Sequence, residues 1–273
     1  WVSSPLIAAI DIETYSHNHR AMPNRDYVSD IVFQCSFILQ RLNKPETREK
    51  ILLVVGPCDD IEGATVLRFD HEIKLIDGLA DLITMKNPSV LLGYNIFAYD
   101  FPYMDARLKL YLRDWRNCGL IRDQATFVNS RVWKSSAYGF MTIAPLDAEG
   151  RICIDMYPII KRDHKLDRYT LDFVSKHFLG RGKHDVSARQ MFETYAECRA
   201  AEEQEMKLRI AKEECEKTKM TEGLDDLVAS HQKAVERLKK ASAAMATVGR
   251  YCLEDSCLCI DLLEKLNTWI MLT

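Results

Sequence analysis

The stretch Leu6-Ile7-Ala8-Ala9-Ile10-Asp11-Ile12-Glu13-Thr14 decides the fold. Its first five residues form a continuous apolar run, which is typical of a short β-strand buried on both faces. The run leads directly into Asp11 and Glu13, so the sequence predicts two carboxylates at the end of a buried strand. Because residues two positions apart on a strand share a face, both side chains should point to the same side of the sheet.

Strand and helix patterns follow one another along the chain after this stretch. Apolar runs bounded by turn residues predict strands, and apolar side chains at helical spacing predict a helix. The predicted strands are residues 31–39, 50–55 and 90–94, and the predicted helix is residues 71–85. A second helix should begin at Asp100, since a carboxylate cap and the early Pro102 suit a first turn. Strands mixed with crossing helices predict an α/β domain that occupies residues 1–273.

A more irregular segment occupies residues 127–157. It has the pattern of a β-hairpin or a longer antiparallel excursion, with residues 140–143 and 151–154 on either side of a turn-like stretch at 147–150. Trp133 and Tyr138 are aromatic residues of this segment that could stack on a base, or could serve only as turn or core residues.

A long polar segment, residues 189–248, is rich in Ala, Glu and Lys and poor in strand formers. We predict a helical hairpin inserted into the domain, with Gly223 at the break between its arms. It is either a charged spacer with a modest buried stripe or a surface for a protein partner. Five residues of the second arm alternate by four and three positions, as in a coiled-coil seam: Leu224, Val228, His231, Val235 and Leu238.

Bulk composition bounds the class of protein. The 47% hydrophobic content is enough for a full core, and no apolar run reaches the roughly 18 residues of a membrane span. We expect a soluble, intracellular protein without a membrane partner, in the nucleus, the cytoplasm or a viral replication site.

The nine cysteines lack a zinc-site spacing and are expected to be reduced. The missing initiator Met and the apolar end at 269–272 suggest a piece of a longer chain.

A candidate catalytic site is predicted where carboxylates that are distant in the sequence could lie close together. Tyr251 and Asp255 are four positions apart on a predicted helix, so the phenol and the carboxylate share one side. Together with Asp11, Glu13 and Asp100 they form a candidate site. Clustered carboxylates repel one another unless cations neutralise them, and hard oxygen ligands suit Mg²⁺ or Mn²⁺. We therefore predict two divalent cations, either Mg²⁺ or Mn²⁺.

Each of these elements alone also has an ordinary explanation. An Asp-x-Glu pair at a strand end is common, Asp100 could be only a helix cap, and Tyr251 with Asp255 could be a solvated helix face. Asp155 is a further acid, for which a structural role is expected.

The combined order of motifs resembles the exonuclease domain of family B DNA polymerases, in particular the eukaryotic delta type and large-virus enzymes. Asp11-Ile12-Glu13 resembles the first exonuclease motif, and residues 93–103, Gly-Tyr-Asn-Ile-Phe-Ala-Tyr-Asp-Phe-Pro-Tyr, resemble the second. Tyr251-Cys252-Leu253-Glu254-Asp255 resembles the third, a Tyr-x-x-x-Asp pattern. Residues 154–158 and 165–180 are also similar to the delta-type domain.

The resemblance implies a ribonuclease-H-like (DnaQ-like) fold, with a mixed sheet flanked by helices, a β-hairpin and the inserted helical hairpin. It implies 3′→5′ removal of mispaired nucleotides from a frayed primer end of DNA, within a longer polymerase chain. Metal ligation carries over to Asp11, Glu13, Asp100 and Asp255, with Tyr251 orienting a water. Contacts to the DNA strand carry over to Thr14, Asn95, Tyr99, Thr170 and Leu171.

Two other functions remain open from the sequence alone. One is a free-standing exonuclease of the same fold that trims RNA or DNA ends. The other is a catalytically dead domain that only grips single-stranded DNA. A His-dependent nuclease branch would need His five residues before the last Asp, where the chain has Arg250. The tyrosine-type (DEDDy) branch is therefore preferred.

Overall fold

A computed structural model describes residues 4–121, 123–135, 139–182, 186–218 and 224–272. Within these ranges the chain forms ten strands and seven helices. The strands are β1 Leu6–Thr14, β2 Val32–Arg41, β3 Lys44–Val55, β4 Thr65–Phe69, β5 Val90–Gly93, β6 Phe127–Val128, β7 Arg131–Ser135, β8 Gly139–Ile143, β9 Leu146–Asp147 and β10 Ile152–Asp155. The helices are α1 Glu72–Lys86, α2 Asp100–Leu110, α3 Met156–Asp163, α4 Leu171–Leu179, α5 Ala188–Thr218, α6 Leu224–Lys265 and α7 Thr268–Leu272.

Six strands form one mixed sheet in the order β10-β5-β1-β2-β3-β4. The strand β1 pairs antiparallel with β2 and parallel with β5, so the stretch that carries the first two acids lies inside the sheet. The outer strands β4 and β10 run parallel to their neighbours. Helices flank the sheet, which confirms the mixed α/β architecture.

Alternate residues of β1 enter two different cores. Ile7 and Ala9 pack on the side covered by α6 and by the first turns of α5. Ala8 and Ile10 pack on the opposite side with α1 and α2. All four side chains are fully or almost fully buried, which confirms a strand buried on both faces. Because of this alternation, the odd-numbered Asp11 and Glu13 lie on the α6 side.

The segment around the predicted hairpin is built differently from the prediction. The β-hairpin consists of β7 and β8, which form a separate two-stranded sheet. Residues 152–155 do not pair with residues 139–143, because β10 joins the main sheet beside β5. The short strands β6 and β9 pair with each other. Tyr138 lies outside the described residues, as does the side chain of Trp133.

The predicted helical segment 189–248 consists of α5 and most of α6, and Gly223 lies outside the described residues. The helix α6 continues without a break to Lys265, so the third motif lies in the same helix as the second arm. The first turns of α5 bury Phe192, Tyr195, Cys198 and Ala201 in the core. No described residue of 202–218 or 224–233 is buried, and these arms therefore form the part that projects from the core.

The predicted seam between the arms is shifted at one position. Val235 is 44% exposed, and the neighbouring Ala234 is buried in its place. His231 faces the other arm, where its Nε2 lies 3.1 Å from Oε1 of Glu205. None of the helices in the described ranges combines the length and the apolar content that crossing a bilayer requires.

Candidate active site

The first pair of acids lies at the end of β1, where the sheet meets α6. Asp11 and Glu13 are both half-buried and stand opposite Ser36 and Gln34 of β2. The buried thiol of Cys252 on α6 lies 3.7 Å from the carbonyl oxygen of Asp11 and 3.9 Å from its Oδ2. The two acids therefore face α6, on one side of the sheet, as the strand periodicity predicts.

Asp100 is the first residue of α2, and its carboxylate is used differently from the prediction. The N-cap of α2 is Tyr99, and no side chain caps the helix. Oδ1 of Asp100 instead accepts a hydrogen bond of 3.0 Å from the backbone N–H of Ile12. The side chain thus reaches across to β1 between the first two acids, because the parallel strands β1 and β5 end at the same edge.

Asp155 organises the loop of the second motif. Its carboxylate accepts hydrogen bonds from the backbone N–H groups of Asn95, at 2.7 Å, and Phe97, at 3.0 Å. It also accepts from the N–H of Tyr157 and thereby caps α3. Three backbone bonds account for this buried carboxylate, which matches the structural role expected from the sequence.

The helix α6 brings the third motif to the same place. Asp255 is buried and Tyr251 is half-buried, one helical turn apart. Close packing holds the helix on the sheet: Ser256 Oγ lies 2.6 Å from Ser36 Oγ, and Gln34 donates to the carbonyl of Met245 at 3.0 Å. Tyr251 also lines a groove of about 580 Å³ between α5 and α6.

Acids from several elements influence the same buried groups. Burial is the main cause that raises the pKa of Asp100 to about 7, and the charges of Asp155 and Glu13 contribute to this shift, against the hydrogen bond from Ile12. Burial likewise raises the pKa of Asp155 to about 6. The pKa of the buried Cys259 thiol rises through burial and then through the charges of Asp11, Asp255, Asp155 and Asp100. Acids from four separate elements therefore surround a common region.

The donor groups fit a divalent cation. Asp11, Glu13 and Cys252 each offer a ligand atom, and these atoms lie within 4.8 Å of one another. The two carboxylates are the hard oxygen donors that Mg²⁺ and Mn²⁺ prefer, whereas a thiol is not. The sequence prediction missed Cys252. Its position three residues before Asp255, on the sheet-facing side of the helix, is the signal that could have found it.

The predicted DNA-contact residues fall into two groups. Thr14 and Tyr99 lie together beside the acids, with their hydroxyl oxygens 2.7 Å apart. Asn95 is half-buried in the adjacent loop, with a left-handed φ of 62°. Thr170 and Leu171 lie at the start of α4, where the hydroxyl of Thr170 accepts from Phe173 N–H as the helix cap. The two groups are linked through Tyr94, whose hydroxyl donates to the carbonyl of Tyr169 at 2.6 Å.

Residues 3–174 match the family model described as DNA polymerase family B, exonuclease domain. The chain is 36% identical over 98% of its length to "DNA polymerase 120R" of Invertebrate iridescent virus 3, and covers 21% of that protein. It is 30% identical, also over 98% of its length, to "Putative DNA polymerase 060R" of Frog virus 3, covering 22% of it. It is 32% identical over 66% of its length to the "DNA polymerase delta catalytic subunit" of Plasmodium falciparum, covering 16% of it. The chain thus spans about a fifth of the viral relatives.

Proposed function

The chain belongs to the exonuclease-domain family of the family B DNA polymerases, and from this premise we propose that it is a 3′→5′ proofreading exonuclease of the tyrosine (DEDDy) type. In this proposal it has a ribonuclease-H-like fold and removes mispaired nucleotides from a frayed primer 3′ end of DNA. The observation that carries the proposal is the convergence of acids from β1, α2 and α6 on one region: Ile12 of β1 donates to Asp100 of α2, and the charges of Asp11, Asp255 and Asp100 all act on the buried Cys259 thiol.

We assign divalent cation binding to Asp11, Glu13, Asp100 and Asp255. Two bound cations, Mg²⁺ or Mn²⁺, would supply a water of lowered pKa and neutralise the charge on the leaving oxygen. The protein positions the acids for this chemistry, because the backbone of Ile12 fixes Asp100 and α6 sets the distance of Asp255 from β1. Cys252 remains a buried neutral thiol beside Asp11, since burial raises its pKa well above the usual value.

The remaining groups orient the reactants. In the proposal, Glu13 and the hydroxyl of Tyr251 hydrogen-bond the attacking water, and Tyr251 orients it rather than removing its proton. Thr14, Asn95 and Tyr99 hold the terminal nucleotides of the strand. Thr170 and Leu171 contact the strand farther from the acids. The other segments of a polymerase chain would deliver the primer end, and the arms of α5 and α6 are a surface that could bind a protein partner.

The test is cleavage of a 5′-labelled primer–template with a mispaired 3′ end in Mg²⁺. The wild-type chain should produce a ladder of shortened primers, and the double variant Asp11→Ala, Asp255→Ala should not. Asp60→Ala is the matched control, because this exposed acid pairs with Arg68, outside the site. Equal ladders from wild type and double variant would overturn the proposal.

The cleavage assay, together with a gel-shift assay, discriminates the two other functions. A free-standing exonuclease on RNA ends would shorten a single-stranded RNA faster than the mispaired DNA primer. A catalytically dead binder would retain the labelled primer in a gel-shift assay and leave it at full length. Tyr251→Phe tests the branch, since it should slow cleavage while leaving the four acids in place.

A further inference from the structure

The loop between β1 and β2, residues 15–31, is held by several buried polar contacts. The guanidinium of Arg107, which is fully buried, donates to the carbonyls of Arg25, at 2.9 Å, Tyr27, at 2.5 Å, and Val28, at 3.0 Å. The same guanidinium is paired at 2.7 Å with Glu72, also buried. A buried charge is tolerated only when it is paired and hydrogen-bonded. Here Glu72 supplies the ion pair, and the carbonyl groups of the loop accept the other hydrogen bonds.

A second buried acid holds the loop from within. Asp30 accepts hydrogen bonds from the backbone N–H groups of His17, at 3.0 Å, and Asn24, at 2.8 Å. Its Oδ1 also lies 2.6 Å from Nδ1 of His17. The ring of His17 in turn packs against the ring of Tyr27, with centroids 5.6 Å apart. The orientation of Tyr27 is therefore set by a chain of contacts that begins at a buried carboxylate.

The side chains that this rigid backbone presents are exposed. Tyr27 is 52% exposed, and Val28 and Met22 are exposed still further. Arg20 and Arg25 are also exposed, and no carboxylate of the described residues forms an ion pair with either. Asp26 is an exposed acid in the same loop, while Asp30 is buried. The surface thus combines an oriented aromatic ring with two arginines that no described carboxylate neutralises.

The loop is continuous with the candidate active site. It begins directly after Thr14, whose hydroxyl contacts that of Tyr99. The ring of Tyr99 lies 5.5 Å from that of Tyr103, and the Tyr103 hydroxyl donates to the carbonyl of Asp30 at 2.9 Å. A strand whose 3′ end reached the acids would therefore have this loop beside it.

We propose that the β1–β2 loop is a binding subsite for unpaired single-stranded DNA, in which Tyr27 stacks on a base while Arg20 and Arg25 bind phosphates. This inference rests on the proposed function. An aromatic face accepts any base, and guanidinium groups accept any phosphate, so the subsite would grip a strand without regard to sequence. The buried contacts of Arg107 and Asp30 set the loop geometry before the strand binds, which lowers the entropy cost of binding.

The experiment measures fluorescence anisotropy of a labelled thymidine oligonucleotide of about 12 nucleotides, in EDTA so that it is not cleaved. Tyr27→Ala should weaken binding about fivefold or more, and Tyr27→Phe should stay within about twofold of wild type, because stacking needs the ring and not the hydroxyl. A base analogue whose fluorescence is quenched by stacking should lose its quenching only in Tyr27→Ala.

Arginine variants test the phosphate contacts. Arg25→Ala should weaken binding and lower the slope of log affinity against log salt by about 0.7, the value for one phosphate on a single strand. Arg41→Ala, an exposed arginine at the opposite end of β2, is the matched control and should change neither quantity.

The outcomes distinguish a failure of this inference from a failure of the proposed function. If the wild-type chain shortens the mispaired primer while Tyr27→Ala binds the oligonucleotide as tightly as wild type, the subsite is overturned and the exonuclease stands. If the wild-type chain neither shortens the primer nor binds the oligonucleotide, both fail. Binding unchanged in Tyr27→Ala, together with self-association of the wild type lost in that variant, would instead assign the loop to a contact between copies of the chain.

Discussion

Asp100 is a carboxyl group whose surroundings favour its protonated form as long as no cation is bound. Burial and the charges of Asp155 and Glu13 raise its folded-state pKa to about 7, whereas an unfolded chain has a value near 3.9. A raised folded-state pKa stabilises the fold below the unfolded-state value, and this contribution disappears as the pH rises through the folded-state value. The metal-free protein should therefore lose stability between about pH 4 and pH 7.

The variant Asp100→Asn should remove the contribution of Asp100 to this pH dependence, because an amide stays neutral and can still accept from Ile12, while the smaller contribution of Asp155 remains. In EDTA at pH 8 we expect it to have a free energy of unfolding about 2–4 kcal/mol above wild type, since each pKa unit corresponds to about 1.4 kcal/mol. Near pH 4 the two proteins should be similar. Urea unfolding at both pH values measures the effect, with the exposed Asp60→Asn as the control. Parallel pH profiles for wild type and Asp100→Asn would contradict the prediction.

For single residues, the sequence correctly predicts the direction of those side chains whose placement follows from local periodicity. Spacing by two on a strand correctly places Asp11 and Glu13 on one face. The bond from Ile12 N–H to Asp100 could not be predicted, since it depends on how two distant segments meet at the sheet edge. For the same reason a helix cap was the natural expectation for Asp100.

Among the elements, α6 packs tightly against the sheet at Gly249. A Cβ added there would overlap the Cδ2 methyl of Leu52 and lie 3.1 Å from Cδ1 of Ile61, both in the core. A glycine inside a helix costs about 1 kcal/mol of stability relative to alanine. The close contact between α6 and the sheet explains the glycine here, because the Cβ of an alanine would overlap core side chains.

Gly249→Ala should destabilise the protein by about 1–3 kcal/mol in spite of its better helix propensity, because it overpacks a filled core. It should also slow exonuclease cleavage, since the displaced turn carries Tyr251. Thermal unfolding and the primer assay measure the two effects. Ala243→Gly on the exposed side of the same helix is the control, expected to lose about 1 kcal/mol without loss of activity. A more stable and fully active Gly249→Ala protein would contradict this account of the close approach.

Element types were predicted better than element partners. Helix α1 follows the predicted residues 71–85 closely, because its apolar spacing and its Asn87 stop are local signals. The segment 139–155 illustrates the opposite case. Both β8 and β10 have strand-like sequences, but β10 finds a partner in β5, about sixty residues earlier in the chain. Local pattern carries no information about a pairing at that separation.

For the whole molecule, the structure divides the predicted insertion into a packed part and a projecting part. Phe192, Tyr195 and Met245 belong to the core beneath α6, whereas no described residue of 202–218 or 224–233 is buried. The charged composition of residues 189–248 concealed this division, because the few apolar residues that enter the core are widely spaced.

A variant in which residues 206–230 are replaced by a short Gly-Ser linker should therefore fold, with a Tm within about 4 °C of wild type. We expect its free energy of unfolding to fall by about 1 kcal/mol, which shifts the Tm by about 4 °C or less in a chain of this size. Removal of the full segment 189–248 should prevent folding, because it takes away core residues. Circular dichroism melting distinguishes the two variants. A large fall in Tm for the shorter deletion would show that the projecting arms stabilise the core.

The continuity of α6 also has a mechanical consequence. At 1.5 Å per residue, about 40 Å of unbroken helix separates Leu224 at the far end of the projecting arm from Tyr251. A continuous helix of this length would act as a lever that pivots at the tight contact of Gly249 with the sheet. A sideways pull at the tip is converted into a small tilt at the turn that carries Tyr251 and Asp255. A partner bound at the tip would thus exert a torque on that turn without touching it.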